Sequence, residues 1–381
     1  MAEPFPLVEV SGTPHARGRH YGQQAAARIK KGVGHYGRQL ARLGLDEPAV
    51  AQLVRAYRPV IDAFDPTYCE EMEGIAAGAG IPFAHVALLN ARTEILKLAE
   101  KPELRAKLHD PDGCTGVIVM PDATADGRLL HAQNWDWKAE CAETAVVLRV
   151  RRDDGPDILT FTEAGALARS GLNSAGIAIT ANYLESDRDY RDLGVPLAFI
   201  RRKVLQEASP ALAMHAVYAT RKSAANNMMV SASTDAGDAV AIDFECAPDE
   251  TFQVHPEAGL LVHANHFQSP VALAKLRDTG IASTPCSLYR DLRVRDLLRP
   301  HAGRIGPDHI KRALADDFAS PWSVCRPPRR NLQGVESATV AMIVMQPARG
   351  IMEVAPLPAL GLSFTRYTLL MDQSAVRAAA D

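Results

Sequence analysis

Cysteine is scarce and scattered in this sequence: Cys69, Cys114, Cys141, Cys246, Cys286 and Cys325 are the only thiols in 381 residues. No two stand in CxxC spacing, so neither a zinc ribbon nor a dithiol redox motif is suggested. In a reducing compartment most such thiols are small buried apolar groups. A charge imbalance is also lacking. Lys and Arg number 42 against 45 Asp and Glu, a formal net charge of −3, which gives no general pull toward nucleic acid or an anionic membrane. Local arginine clusters remain: Arg326, Arg329 and Arg330 suit an acidic substrate, whereas Arg149, Arg151 and Arg152 read better as a solvated face. No apolar run approaches the length of a membrane span. Residues Met1 to Pro6 lack the basic and apolar regions of a secretion signal. A soluble, cytoplasmic protein is expected. Internal repeats and low-complexity tracts are missing too, which excludes solenoids and disordered arrays.

What is present is a hydrophobic fraction of 47%, enough for a sizeable core. The first third reads as helical. Thr13-Pro14 is a cap followed by a first-turn proline, and Tyr21, Ala25, Ile29 and Val33 recur at helical spacing up to Leu43. Asp46-Glu47-Pro48 starts a second helix. Asp65-Pro66 starts a third that stops near Gly78 or Gly80, and a fourth is expected over Val86 to Leu96. Glu100 to Asp112 is polar, with prolines near both ends, and reads as an exposed connector.

At Cys114 the character changes. Thr115 to Met120, Leu129 to Trp135, Val146 to Val150, Ile158 to Phe161 and Gly171 to Thr180 read as extended, with turns at Asp126-Gly127 and Asp153-Asp154-Gly155. Helices are expected over Pro196 to Glu207 and Pro210 to Thr220, then strands at Met228 to Ser231 and Ala239 to Phe244. Ser287 to Leu298 and Asp308 to Asp317 read helical, and Ala338 to Met345 and Ile351 to Val354 close as strands. Hairpin-connected strands broken by paired helices imply an α+β fold, with two packed sheets covered by helices.

The sharpest chemical feature is Asp112-Gly113-Cys114-Thr115, where connector meets first strand. A thiol can attack the carbonyl of the peptide bond before it when that bond is strained, and glycine tolerates unusual backbone angles. Hydrolysis of the thioester leaves Cys114 with a free α-amine. The reference pKa of such an amine, about 7.7–8.0, suits a general base at neutral pH. The nucleophile then carries its own base.

The motifs around it, in chain order, are Gly12-Thr13-Pro14, Tyr21-Gly22-Gln23, Asn90-Ala91-Arg92-Thr93-Glu94, Asp112-Gly113-Cys114-Thr115 and Gln133-Asn134-Trp135-Asp136. After them come Thr162-Glu163-Ala164-Gly165, Gly171-Leu172-Asn173-Ser174-Ala175-Gly176, His263-Ala264-Asn265-His266 and Ser323-Val324-Cys325-Arg326. In this order they make the chain resemble the acyl-CoA:isopenicillin-N (6-aminopenicillanic acid) acyltransferase family of the N-terminal nucleophile hydrolases. The resemblance implies a four-layer αββα sandwich cleaved between Gly113 and Cys114. Residues 1–113 and 114–381 then become two fragments that stay associated in one compact unit.

It also implies roles. Cys114 matches the nucleophile, and Asp136 an acidic residue near the new amine that is needed for maturation. Asn265 matches the amide aimed at the developing oxyanion, and Arg326 a site arginine steadying Asp136 or a substrate carboxylate. Asn173 reads as backbone-organising, and Trp135 and Trp137 as packing. His263 and His266 stand as HxxH, but no third ligand follows at a recognised spacing, so no metal and no cofactor are expected. One departure is Gly116, where the family's penicillin enzyme has a second threonine. The family includes amide hydrolases and acyl-CoA-dependent acyltransferases. A linear amide hydrolysed through a thioester acyl-enzyme is the leading expectation, with a small-molecule amide or acyl thioester as partner. Two alternatives stand beside it: an uncleaved thiol hydrolase pairing Cys114 with His131 or His263, and a binding protein that keeps the fold without the chemistry.

Overall fold

The computed structural model describes residues 3–99, 113–330 and 336–372; the expected connector at 100–112, with Asp112, lies outside the described residues. Local capping rules account for the first helices. Thr13 and Pro14 open α1 (Pro14–Arg42). Asp46 accepts from the Ala49 N–H at 2.9 Å to open α2 (Glu47–Phe64). Asp65 opens α3 (Pro66–Ala79), which stops on Gly80 in the left-handed conformation, φ 63°. The two helices α1 and α3 touch backbone to backbone. A Cβ added at Gly22 would lie 2.3 Å from the Ile75 carbonyl oxygen, and one at Gly78 would lie 2.1 Å from that of Arg19.

The helix expected over Val86 to Leu96 is instead two, α4 (Phe83–Asn90) and α5 (Arg92–Ala99). The reason is tertiary. The buried Asn90 side chain donates to the Val86 and Gly165 carbonyls at 2.9 Å each and accepts from the Leu167 N–H at 2.9 Å. This anchors the break at Ala91 to a distant loop, although the apolar periodicity runs through it.

The eight-stranded first sheet has the order β1 (Leu7–Val10), β4 (Ala145–Val150), β5 (Ile158–Glu163), β6 (Ser170–Asn173), β7 (Ile177–Tyr183), β8 (Asn226–Ser233), β9 (Ala239–Cys246) and β10 (Thr251–Val254). Only the β1–β4 pairing is parallel. The single stretch expected over Gly171 to Thr180 is the β6–β7 hairpin. Asn173 Oδ1 accepts the N–H groups of Ala175 and Ile177, and Gly176 turns at φ 82°.

The second sheet has the order β11 (Leu260–His263), β2 (Thr115–Val119), β3 (Leu130–Lys138), β13 (Glu336–Gln346), β14 (Ile351–Pro356) and β15 (Thr365–Thr368), with β12 (Arg329–Arg330) also on β13. Strands β1, β10, β11, β12 and β15 went unread because four residues or fewer carry little alternation.

Ile118, Met229, Ala241 and Leu261 fill the space between the sheets. Helices α6 (Leu197–Gln206) and α7 (Pro210–Tyr218) cover the outside of the first sheet. After the short α8 (Pro270–Lys275), α9 (Ser287–Leu298) and α10 (Pro307–Leu314) cover the second, burying Val294, Leu298, Ile310 and Leu314 against Val117, Val262 and Met342. The result is the four-layer αββα sandwich. Among the described residues no helix is long and apolar enough to cross a membrane.

Candidate active site

Strand register brings the site together. Cys114 immediately precedes β2, which lies between β11 and β3. Val262 pairs with Val117 and His263 with Gly116, so continuing that register sets Asn265 opposite Cys114. On the other side Thr115 pairs with Asn134, which carries Asp136 to the same end. The Asp136 carbonyl lies 4.0 Å from Cys114 Sγ. Across the next pairing Asp136 faces Thr339, beside a bulge in β13, and the Thr339 hydroxyl donates to Asp136 Oδ1 at 2.7 Å. Thr339 Oγ1 in turn accepts the Arg326 N–H at 2.8 Å. Arg326 Nε stands 3.4 Å from Asp136 Oδ2, with both side chains buried, and Nη2 donates to Cys286 Sγ at 3.0 Å.

Asn265 is oriented on both sides of its amide. Oδ1 accepts the Cys114 N–H at 2.8 Å, and Nδ2 donates to the Tyr183 carbonyl at 2.8 Å. In the uncleaved chain this amide therefore faces the nitrogen of Cys114 with its oxygen, and one of its two N–H donors is engaged by the Tyr183 carbonyl. The four expected residues Cys114, Asp136, Asn265 and Arg326 thus lie in one buried cluster with Gly113.

The sequence reading missed Arg290. Its buried guanidinium donates from Nη1 to the Cys114 carbonyl at 2.6 Å and to Thr115 Oγ1 at 2.8 Å, and from Nη2 to Asn265 Oδ1 at 2.7 Å. Little in the sequence marked it: Ser287, Arg290, Asp291, Val294 and Leu298 form the buried face of α9, three of them polar, while Leu288 and Leu292 are exposed. Gly113 gains a second explanation here. A Cβ on it would sit 2.6 Å from Arg290 Nη2 and 3.0 Å from Asn265 Oδ1, so a larger residue would push apart the groups that hold the nucleophile. At Gly116 a Cβ would meet Met229 Sδ at 2.4 Å. The methionine occupies the space a threonine side chain would need.

Burial raises the Cys114 thiol above its ordinary range; Arg169 opposes this and Asp136 adds to it. A thiol held neutral needs a base at the moment of attack. Neither histidine suggested for that task reaches it. The ring nitrogens of His131 meet Ser231 Oγ at 2.8 Å and Thr180 Oγ1 at 2.9 Å, and burial lowers its pKa to about 3. His263 meets the Ala264 carbonyl at 3.1 Å and Glu245 Oε1 at 2.7 Å. Among the described residues no imidazole is hydrogen-bonded to Cys114 Sγ. The Cys–His pairing is corrected on that geometry.

His263 is structural. Burial alone would strip its proton, but Asp243 and Glu245 outweigh burial and raise its pKa to about 9. Glu245 also accepts the backbone N–H groups of Gln268 and Ser269, which fastens the loop carrying Asn265. Because the folded pKa lies above the unfolded 6.5, this stabilisation is complete below pH 6.5 and lost as pH rises through 9. Wild type should therefore lose on the order of 2 kcal/mol of unfolding free energy between pH 6.5 and 9. His263→Gln should be less stable at pH 6.5 and show a flatter slope; urea unfolding across that range checks both.

A model of the acyl-coenzyme A:6-aminopenicillanic acid acyl-transferase family matches residues 123–355. The chain is 30% identical over 329 residues to the acyl-coenzyme A:6-aminopenicillanic-acid-acyltransferase 40 kDa form of Emericella nidulans, with 84% of each covered. Among solved structures it is similar to a C2A mutant of the conjugated bile acid hydrolase from Clostridium perfringens, at 14% identity and a TM-score of 0.44, covering 67% of this chain and 92% of that one. It is also similar to penicillin V acylase from Agrobacterium tumefaciens, at 15% identity and a TM-score of 0.43, covering 68% and 89%.

Proposed function

Because the chain belongs to the acyl-coenzyme A:6-aminopenicillanic acid acyl-transferase family, we propose that it is a self-cleaving amidohydrolase of the N-terminal nucleophile type whose nucleophile is Cys114. The observation that carries this reading is the pairing of a buried thiol with no hydrogen bond to an imidazole, among the described residues, with a backbone nitrogen of the same residue held 2.8 Å from Asn265 Oδ1.

In maturation Cys114 Sγ attacks the Gly113 carbonyl. The C–N bond breaks, the thiol proton passes to the departing nitrogen, and a Gly113 thioester forms. Water hydrolyses it, leaving a carboxylate on Gly113 and a free amine on Cys114. Asn265 Oδ1 then accepts from this amine as it did from the amide N–H, and steers its lone pair. In turnover the amine takes the thiol proton as sulfur adds to the substrate carbonyl, then gives it to the leaving amine. Water, deprotonated by the same amine, releases the acid. Asp136, between Thr339 and Arg326, supplies a fixed negative charge that favours the transient ammonium. The oxyanion role falls to the second N–H of Asn265 Nδ2, the first being held by the Tyr183 carbonyl.

Hydrolysis is favoured over transfer because water is always available as acceptor. The name of the Emericella relative supports acyl transfer as the second reading. The two fragments stay together because β1, which precedes the cut, is hydrogen-bonded along β4, which follows it, and Tyr21 OH contacts the Glu163 and Ala166 carbonyls. Intact-mass analysis of the purified protein, before and after exposure to N-acyl amides with and without acyl-CoA, tests all of this. Fragments ending at Gly113 and starting at Cys114, with acyl-CoA-independent turnover, are expected. Turnover by a chain with a single N-terminus would refute self-cleavage, and strict dependence on acyl-CoA would refute hydrolysis.

A further inference from the structure

A small cavity of about 20 Å³ holds more positive charge than the protein neutralises. Its wall includes Arg92 and Glu94 of α5, Thr162 and Glu163 of β5, Arg169 just before β6, and Arg201 of α6. Arg92 is ion-paired with Glu163. Glu94 accepts the Leu197 N–H at 2.9 Å. Among the described residues neither the Arg169 nor the Arg201 guanidinium has a hydrogen-bond or ion-pair partner, and the Nε atoms of both are buried and unsatisfied. Arg201 is 7% exposed. Arg169 lies over the Trp135 ring at 4.2 Å, which satisfies one face of the cation and none of its N–H donors.

Three guanidiniums and two carboxylates leave the cavity cationic. Burial lowers the pKa of Arg169 to about 10 and of Arg201 to about 9, the direction expected of a buried charge without a counterion. The reactive end is close. Trp135, under Arg169, adjoins Asp136, whose carbonyl lies 4.0 Å from Cys114 Sγ. Arg169 is also the group that most offsets the effect of burial on the Cys114 thiol.

We propose that Arg169 and Arg201 form an anion subsite, and that the amide cleaved at Cys114 carries a carboxylate that this pair holds. The planar forks suit a carboxylate, which supplies the missing acceptors and charge. The substrate class rests on the amidohydrolase reading above; the subsite itself does not.

Two matched amide series on the full chain test it. One carries a terminal carboxylate on the acyl half and the other on the amine half, each beside its carboxamide analogue. At least one acid should exceed its neutral analogue by roughly 30-fold or more in kcat/KM, mainly through KM, as charged hydrogen bonds in a buried site predict. The half that shows the preference identifies which side of the scissile bond faces the arginines. In R169Q and R201Q that preference should fall at least about tenfold. Equal rates for acid and carboxamide in both series, or preferences unchanged in both variants, would overturn the subsite. Thermal shift with glutarate against glutaramide separates this from failure of the amidase reading. Glutarate should stabilise wild type and not R201Q even in a chain that neither self-cleaves nor turns over, and equal effects of the two compounds would overturn the proposal. R201Q removes an unpaired buried charge, and its circular dichroism should match wild type.

Discussion

Cys114→Ala should appear in an intact-mass spectrum as one chain of 381 residues and should cleave no amide. Activity should fall by roughly 10⁴-fold or more, as for loss of a covalent nucleophile. The effect is this large because one sulfur does both jobs: it opens the Gly113–Cys114 bond, and in doing so frees the amine that serves it as base. The other thiols do not replace it. Cys286 is held by Arg326, and burial raises the Cys325 thiol to about 12. The substitution is small and sits at the start of β2, so thermal unfolding should stay close to that of uncleaved wild type. A variant that still splits at position 114, or still turns over substrate, would show that the chemistry lies elsewhere.

Arg290→Gln is expected to have the second largest effect. The guanidinium ties together the Cys114 carbonyl, the Thr115 hydroxyl and Asn265 Oδ1. Its loss takes a charged donor from three buried acceptors and leaves the Cys114 N–H as the remaining donor to Asn265 Oδ1, so the amide is held less firmly. Charged hydrogen bonds of this kind contribute about 1.5–3 kcal/mol each, so self-cleavage should slow by roughly 10²- to 10³-fold. A role confined to folding would lower thermal stability without such a change in rate. A positioning role predicts slow cleavage in a folded chain, and Arg290→Lys should restore part of the rate because it keeps one charged donor. Time courses of fragment release, read beside circular dichroism, separate the two.

How far the fold and site were legible follows the range of the interactions. The helix starts at Thr13-Pro14 and Asp65-Pro66 and the stop at Gly80 obey rules that span one turn. The split at Ala91 did not, since it depends on Asn90 reaching Gly165 and Leu167. Among the motifs, Asn90-Ala91-Arg92 and Thr162-Glu163-Ala164-Gly165 read as separate marks along the chain, yet they meet through Arg92 and Glu163. Cys114 and Asn265 were both marked by sequence, 151 positions apart. Their contact is a consequence of the β2–β11 register, which no local pattern specifies. Arg290 belongs to no motif, and the face of α9 that buries it also carries Ser287 and Asp291, so no apolar period marks it.

The sequence by itself determined most of the longer helices and strands and the candidate residues, because capping, periodicity and motif order are properties of near neighbours in the chain. Only the tertiary structure decided that His131 and His263 bond away from the thiol, that Asn265 turns its oxygen to Cys114 N, and that Arg290 binds both. Hydrogen bonds reach about 3 Å, and which distant groups come within that distance is set by sheet register and layer packing.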